Sequence, residues 1–238
     1  TAMGGERFST IGTWVGTYDA YCQIATVSDA TPVTVTLQAG FPAISHTEVS
    51  LTSAEPGENV VVGCSATDEF GNAVSGYSLH YTVFPADGAS SAIYGVVQTD
   101  SDFSATRTGP LYVACGVDGY DAEDESPPLV RVVAGKPMIW GVNLLEQDCY
   151  WEGRRLPVDV VAYDAWSNAI ENPNVIVSTS PANAVVESSP GVWTLDAEGD
   201  IDVTISLGGE HHPGAAIDPF VTSVRVDSTP PVIAITSP

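Results

Sequence analysis

One turn is written twice in this chain. "CSATDEFGNAVSG" at residues 64–76 returns, shifted by 96, within "VVAYDAWSNAIEN". Ala66, Asp68, Phe70, Asn72, Ala73 and Val74 fall on Ala162, Asp164, Trp166, Asn168, Ala169 and Ile170, and the same shift carries Pro85-Ala86-Asp87 onto Pro181-Ala182-Asn183. Further along the shift drops to 90, setting Phe103 on Trp193, Gly109 on Gly199 and Val113 on Val203. The first copy therefore carries a six-residue insertion near "GASSAIYG", which belongs in a loop. A 238-residue chain with this period has room for two like units of roughly 100 residues, each large enough to bury its own core.

Hydrophobic alternation of period two marks the strands. In "VVVGCSA" the inward set is Val60, Val62, Cys64 and Ala66; in "PLYVACGV" it is Leu111, Val113, Cys115 and Val117. The second copy offers Val158, Val160 and Ala162, then Ile201, Val203, Ile205 and Leu207 alternating with Asp200, Asp202, Thr204 and Ser206. Both cysteine positions have changed together, to Val160 and Ile205. Joint loss is what a bridge between two facing sheets requires, so Cys64 and Cys115 are expected to pair, with two aliphatic groups filling the same space in the second copy. Cys22 and Cys149 remain as a second candidate pair. None of the four cysteines stands in a CxxC motif, so disulfides and an oxidising compartment are expected rather than zinc or redox chemistry.

Short strands, turns rich in Gly, Pro, Asn and Asp every 8–12 residues, and the lack of a helical period indicate a two-sheet β-sandwich. The chain resembles the tandem bacterial Ig-like modules of invasin and intimin type, on the turns "TDEFGNAVSG" and "YDAWSNAIEN" and on "TGPLYVACGVDG" and "AEGDIDVTISLGG" near the end of each copy. It departs from antibody domains, since "YSLHYTVF" carries no Trp on the third strand. The resemblance implies an all-β fold of tandem immunoglobulin-like β-sandwich domains, one over residues 40–135 and one over 136–228.

The ends extend the pattern. "LQAGFP" at 37–42 matches "VVAGKP" at 132–137, and "VRVDSTPP" at 224–231 repeats the motif. "GTYDAYCQI" at 16–24 aligns with "GPLYVACGV" at 109–117, setting Cys22 on Cys115. Residues 1–39 thus read as the C-terminal strands of a preceding repeat or as a strand-donating segment, and 229–238 as a linker or the first strand of a following repeat. The chain is expected to be a segment of a longer array or a subunit whose ends meet other subunits.

The 30 acidic residues against seven basic ones give a net charge of −23, which repels nucleic acid and anionic membrane. No apolar run reaches the length of a membrane span. Acidic loops supply hard oxygen donors: Asp118, Asp121 and Asp124 are calcium candidates, although their spacing is not that of an EF-hand. Glu210, His211 and His212 in "GGEHHPG" are candidates for recognition or a softer metal. Exposed loops and strand faces account for both groups without a ligand. Ser78 and His80 in "GYSLHY" lack the final glycine of a nucleophile elbow. Trp166 and Trp193 take the places of Phe70 and Phe103, as core or turn packing does, rather than lining up for sugar binding.

The sequence thus leads to a non-catalytic extracellular module without a resident cofactor, a stiff spacer or fibre segment of a bacterial surface protein. Its expected partners are a protein or cell-surface ligand, or copies of itself in a fibre. A filament subunit joined by strand complementation and an accessory spacer of a large secreted hydrolase are the alternatives.

Overall fold

The computed structural model describes residues 12–21, 23–24, 26–28, 30–144, 150–151, 153–215 and 217–229. Cys22, Cys149 and the closing segment 230–238 lie outside the described residues. Two compact units divide the chain, Thr1–Val132 and Val133–Pro238.

The first unit opens with a ribbon. Its strands are β1 (Gly16–Ala20), the short β2 (Gln23–Ile24) and β3 (Val27–Ser28), and β4 (Val33–Leu37), with β1 antiparallel to β4. A sandwich follows, made from β5 (Ile44–Val49), β6 (Ser53–Ala54), β7 (Val60–Thr67), β8 (Leu79–Pro85), β9 (Val97–Gln98), β10 (Asp102–Ser104), β11 (Gly109–Val117) and β12 (Leu129–Val132). One sheet runs β5-β7-β10-β9 and the other β6-β12-β11-β8. The opening stretch changes sheets, since β5 is antiparallel to β7 whereas β6 runs parallel to β12.

Alternation on β7 and β11 fills the space between these sheets. Val60, Val62, Leu111, Val113, Cys115, Val130 and Phe103 form one buried cluster. Each large aliphatic group removed from water contributes about 1.5–3 kcal/mol. A disulfide joins Cys64 of β7 to Cys115 of β11 across the sheets, with Cα atoms 5.7 Å apart. Beside it Ser45 Oγ donates to the Cys115 carbonyl at 2.6 Å, and the Cys115 N–H donates to Thr47 Oγ1 at 2.8 Å. The extra residues of the first copy form a 3₁₀ turn, Ser91–Tyr94, ended by Gly95 at a left-handed φ of 60°.

The second unit holds β13 (Ile139–Leu144), β14 (Tyr150–Trp151), β15 (Arg155–Leu156), β16 (Val158–Tyr163), β17 (Val175–Ser180), β18 (Val185–Ser189), β19 (Val192–Leu195), β20 (Gly199–Leu207) and β21 (Phe220–Asp227). Its sheets run β14-β21-β20-β17, β13-β16 and β15-β19-β18. Strand pairing repeats that of the first unit: Phe103 faces Val60, and Trp193 faces Leu156. Again the opening stretch has one part antiparallel, β13 on β16, and one part parallel, β14 on β21. Pro157 stands where the first copy has Val61 and separates β15 from β16, because proline cannot donate to the ladder.

The paired replacement at the disulfide positions keeps the burial of each, since Cys115 is buried and Cys64 half-buried in the first unit. Ile205 is fully buried among Ile201, Val203 and Leu195, whereas Val160 is half-buried. Val160 also lines a cleft of about 460 Å³ with Val158, Val175 and Trp193. The aliphatic pair therefore packs against the second core as the bridge does against the first, with Ile205 inside it and Val160 at its margin.

Candidate functional site

The repeated turn follows β7 in one unit and β16 in the other, and in both it is built around a buried aspartate. Asp68 Oδ1 accepts N–H bonds from Phe70 at 3.0 Å and Asn72 at 2.9 Å, and the Asn72 side-chain amide adds a third at 3.1 Å. Asp164 receives the same set from Trp166 at 2.9 Å, Asn168 at 2.8 Å and the Asn168 amide at 3.2 Å. Backbone bonds close each turn, Asp68 N–H to Asn72 O and Asp164 N–H to Asn168 O. The left-handed residue is Gly71 at φ 82° in the first turn and Ser167 at φ 64° in the second. A serine there carries the steric cost that glycine avoids.

What the carboxylate's other oxygen holds is more telling. Asp68 Oδ2 accepts the N–H of Gly40 at 2.9 Å, and Asp164 Oδ2 accepts the N–H of Gly135 at 3.1 Å. Gly40 and Gly135 are the glycines of "AGFP" and "AGKP", the stretches that follow β4 and β12. Each turn therefore clamps the strand-to-strand junction ahead of its own sandwich. Ionisation is strongly favoured. The Gly40 N–H, with the Asn72 amide and the Asn72 and Phe70 N–H groups, outweighs desolvation and holds the Asp68 carboxyl down at about 2 from the usual 3.8. Burial pushes Asp164 up, but the hydrogen bonds from Asn168, Gly135 and Trp166 outweigh it and its carboxyl also sits low.

Asn72 extends the clamp. Its Nδ2 donates to the Thr13 carbonyl at 2.8 Å and its Oδ1 accepts the Val15 N–H at 3.2 Å. A side-chain amide here pairs like a peptide group with the segment that enters β1. Around this contact lies a cleft of about 420 Å³ lined by Trp14, Phe41, Phe70, Gln38 and Glu69. The three rings are well exposed, Trp14 at 70% and Phe41 at 73%. Phe41 also stacks on Tyr120, ring centroids 6.0 Å apart, and Tyr120 meets Tyr77 edge-on at 5.2 Å. Sequence reasoning missed this grouping. Trp14 lies far from Phe70 along the chain, and the two line one cleft beside the bonds that join Asn72 to Thr13 and Val15.

The other candidates are placed apart. Among the described residues no group of three or more His, Cys, Asp or Glu side chains is positioned to hold a metal ion. Asp118 instead pairs with His80 Nδ1 at 2.8 Å, on an exposed surface, and Asp124 Oδ1 caps the Ser126 N–H at 3.0 Å. Asp121 is exposed. Glu210 pairs with Lys136 at 2.6 Å, and the His212 N–H donates to the Pro137 carbonyl at 2.9 Å. The Lys136 side chain, through its hydrogen bond and charge, lowers the Glu210 carboxyl. The "GGEHHPG" loop thus folds onto the "AGKP" stretch. Trp193 and Phe103 are core residues, while Trp166 and Phe70 sit exposed at the turn tips. No helix among the described residues is long and apolar enough to cross a membrane.

No protein-family model matches the chain, and none of the curated proteins does. Solved structures do match. FdeC, an adhesin of Escherichia coli, superimposes with a TM-score of 0.53 at 21% identity, over 91% of this chain and 76% of its own. The fold is the all-β, Ig-like β-sandwich fold. InvD of Yersinia pseudotuberculosis matches with a TM-score of 0.45 at 15% identity, over 92% of this chain and 80% of its own. Invasin, a bacterial integrin-binding protein, matches with 0.37 at 13%, over 90% and 46%.

Proposed function

We propose that this chain is a non-catalytic, extracellular structural and adhesive module, a stiff Ig-like segment of a bacterial surface protein organised as the modules 40–135 and 136–228. One observation carries the reading: in each copy a buried carboxylate holds the junction glycine that leads into its sandwich. A junction fastened by hydrogen bonds and followed by proline leaves few torsions free to hinge. Such a segment transmits force and presents a partner at a fixed reach.

The cross-sheet disulfide supports an oxidising, exported setting. The contact of His80 with Asp118 is open to water, whereas catalysis favours sites that exclude it. A protein or cell-surface ligand is the partner class that a rigid acidic module with exposed rings suits.

Small-angle scattering tests the reading. A narrow distribution of particle dimensions is expected for the native chain, broadening when Asp68→Ala and Asp164→Ala are combined. A native chain that already bends freely would overturn the stiff-segment function.

A further inference from the structure

The β1–β4 ribbon reproduces the last two strands of a sandwich residue for residue. In the ribbon Gly16 pairs with Leu37 and Tyr18 with Val35. On β11 and β12 Gly109 pairs with Val132 and Leu111 with Val130; on β20 and β21 Gly199 pairs with Val226 and Ile201 with Val224. All three strands begin at a glycine with positive φ, 155°, 148° and 104°. The ribbon is amphipathic. Tyr18, Ala20, Val33 and Val35 share one face, and Thr17, Asp19, Thr34 and Thr36 the other, where Thr34 Oγ1 donates to Asp19 at 3.0 Å.

Burial separates the three copies. Leu111, Val130 and Ile201 are 0% exposed and Val224 is 6%, because the first strands of each sandwich cover that face. Tyr18 is 45% exposed, Val35 39% and Val33 65%. An alternating apolar face is selected for a dry neighbour, and this one meets water. Its equivalents in both complete sandwiches are covered by strands that come earlier in the same polypeptide, β7 and β10 in one and β15 and β19 in the other.

We propose that the ribbon is the closing part of a third Ig-like sandwich and that its Tyr18–Val35 face is a docking surface for the first strands of that module. The occupant is a run of alternating apolar strands like β7 and β10, carried ahead of the ribbon on the same polypeptide. This assignment rests on the repeat and its registers, and stands apart from the stiffness of the junctions.

The full chain and a lengthened form test it. A copy of residues 40–105 is joined directly to Thr13, since Gly16 on Gly109 sets Thr13 on Thr106. In the chain as it stands Val35→Lys is expected to leave the melting temperature unchanged and to lower binding of a hydrophobic dye. In the lengthened chain dye binding falls to the level of that variant, the same substitution lowers the midpoint by more than about 5 °C, and peptide mapping finds Cys22 bonded to the copied Cys64. Destabilisation by Val35→Lys in the chain as it stands would mean its own residues cover the face and would overturn the proposal. So would a self-association lost in that variant, which assigns the face to a second copy, or a lengthened chain in which dye binding and tolerance of lysine persist. The scattering experiment on Asp68 and Asp164 is unaffected by any of these outcomes.

Discussion

The two sandwiches solve one packing problem in two ways. Where the first ties β7 to β11 with a covalent bridge, the second sets Ile205 deep in its core and leaves Val160 beside an open cleft. Their Asp–Asn turns, by contrast, are nearly superimposable in hydrogen bonding. Core chemistry has been exchanged while the turn that fastens the junction has been kept. The core tolerates exchange because any group of suitable volume restores burial, while a clamp needs donors and an acceptor at fixed positions.

The comparison can be broken most forcefully at the bridge. Replacing Cys64 and Cys115 together by alanine is expected to destabilise the first unit by about 4 kcal/mol, the loop-entropy value for a bridge of this span. Amide exchange followed by mass spectrometry should show faster opening in the first unit alone. Next comes Ile205→Ala, which should cost the second unit about 3 kcal/mol by leaving a cavity; a loss much below this would mean that β16 collapses into the space.

Smaller effects sharpen the likeness of the turns. Asp164→Ala strands several N–H groups and should cost about 2 kcal/mol in the second unit, and Asp68→Ala should weaken the first unit in the same direction. Acid provides the same test without mutation. The folded pKa of Asp68 lies below its unfolded value, so its contribution is complete above about 3.8 and is lost as pH falls through about 2. Thermal melts between pH 5 and pH 2 should show this loss in the first unit, and Asp68→Asn should flatten that part of the profile. The smallest effects concern the left-handed residue. Gly71→Ala should cost the first unit about 1 kcal/mol, while Ser167→Gly should gain the second no more than that. No gain, or a loss, on Ser167→Gly would show that Ser167 is unstrained.

Much of the fold was legible because its signals are one-dimensional. Alternation named Val60, Val62, Leu111 and Val113 as inward residues, and the structure buries them. The shift of 96 set Val60 on Leu156 and the shift of 90 set Phe103 on Trp193; the two strand pairings agree. The candidate site was legible only as a repeated motif. Nothing in "TDEFGNAV" names Gly40 as the partner of Asp68, 28 residues away, or Thr13 as the partner of Asn72, 59 residues away. Nor does spacing reveal that Asp118 would find His80 rather than its acidic neighbours.

By itself the sequence determined the strands, their inward faces and the equivalence of the two copies, since side-chain alternation and a repeating period act through the local backbone. Tertiary structure alone decided what each turn grips, that Trp14, Phe41 and Phe70 meet around one cleft, and that the ribbon's apolar face stays wet. Those outcomes depend on which distant segments are brought within hydrogen-bonding or van der Waals reach, a matter of sheet packing and strand exchange that no local pattern encodes.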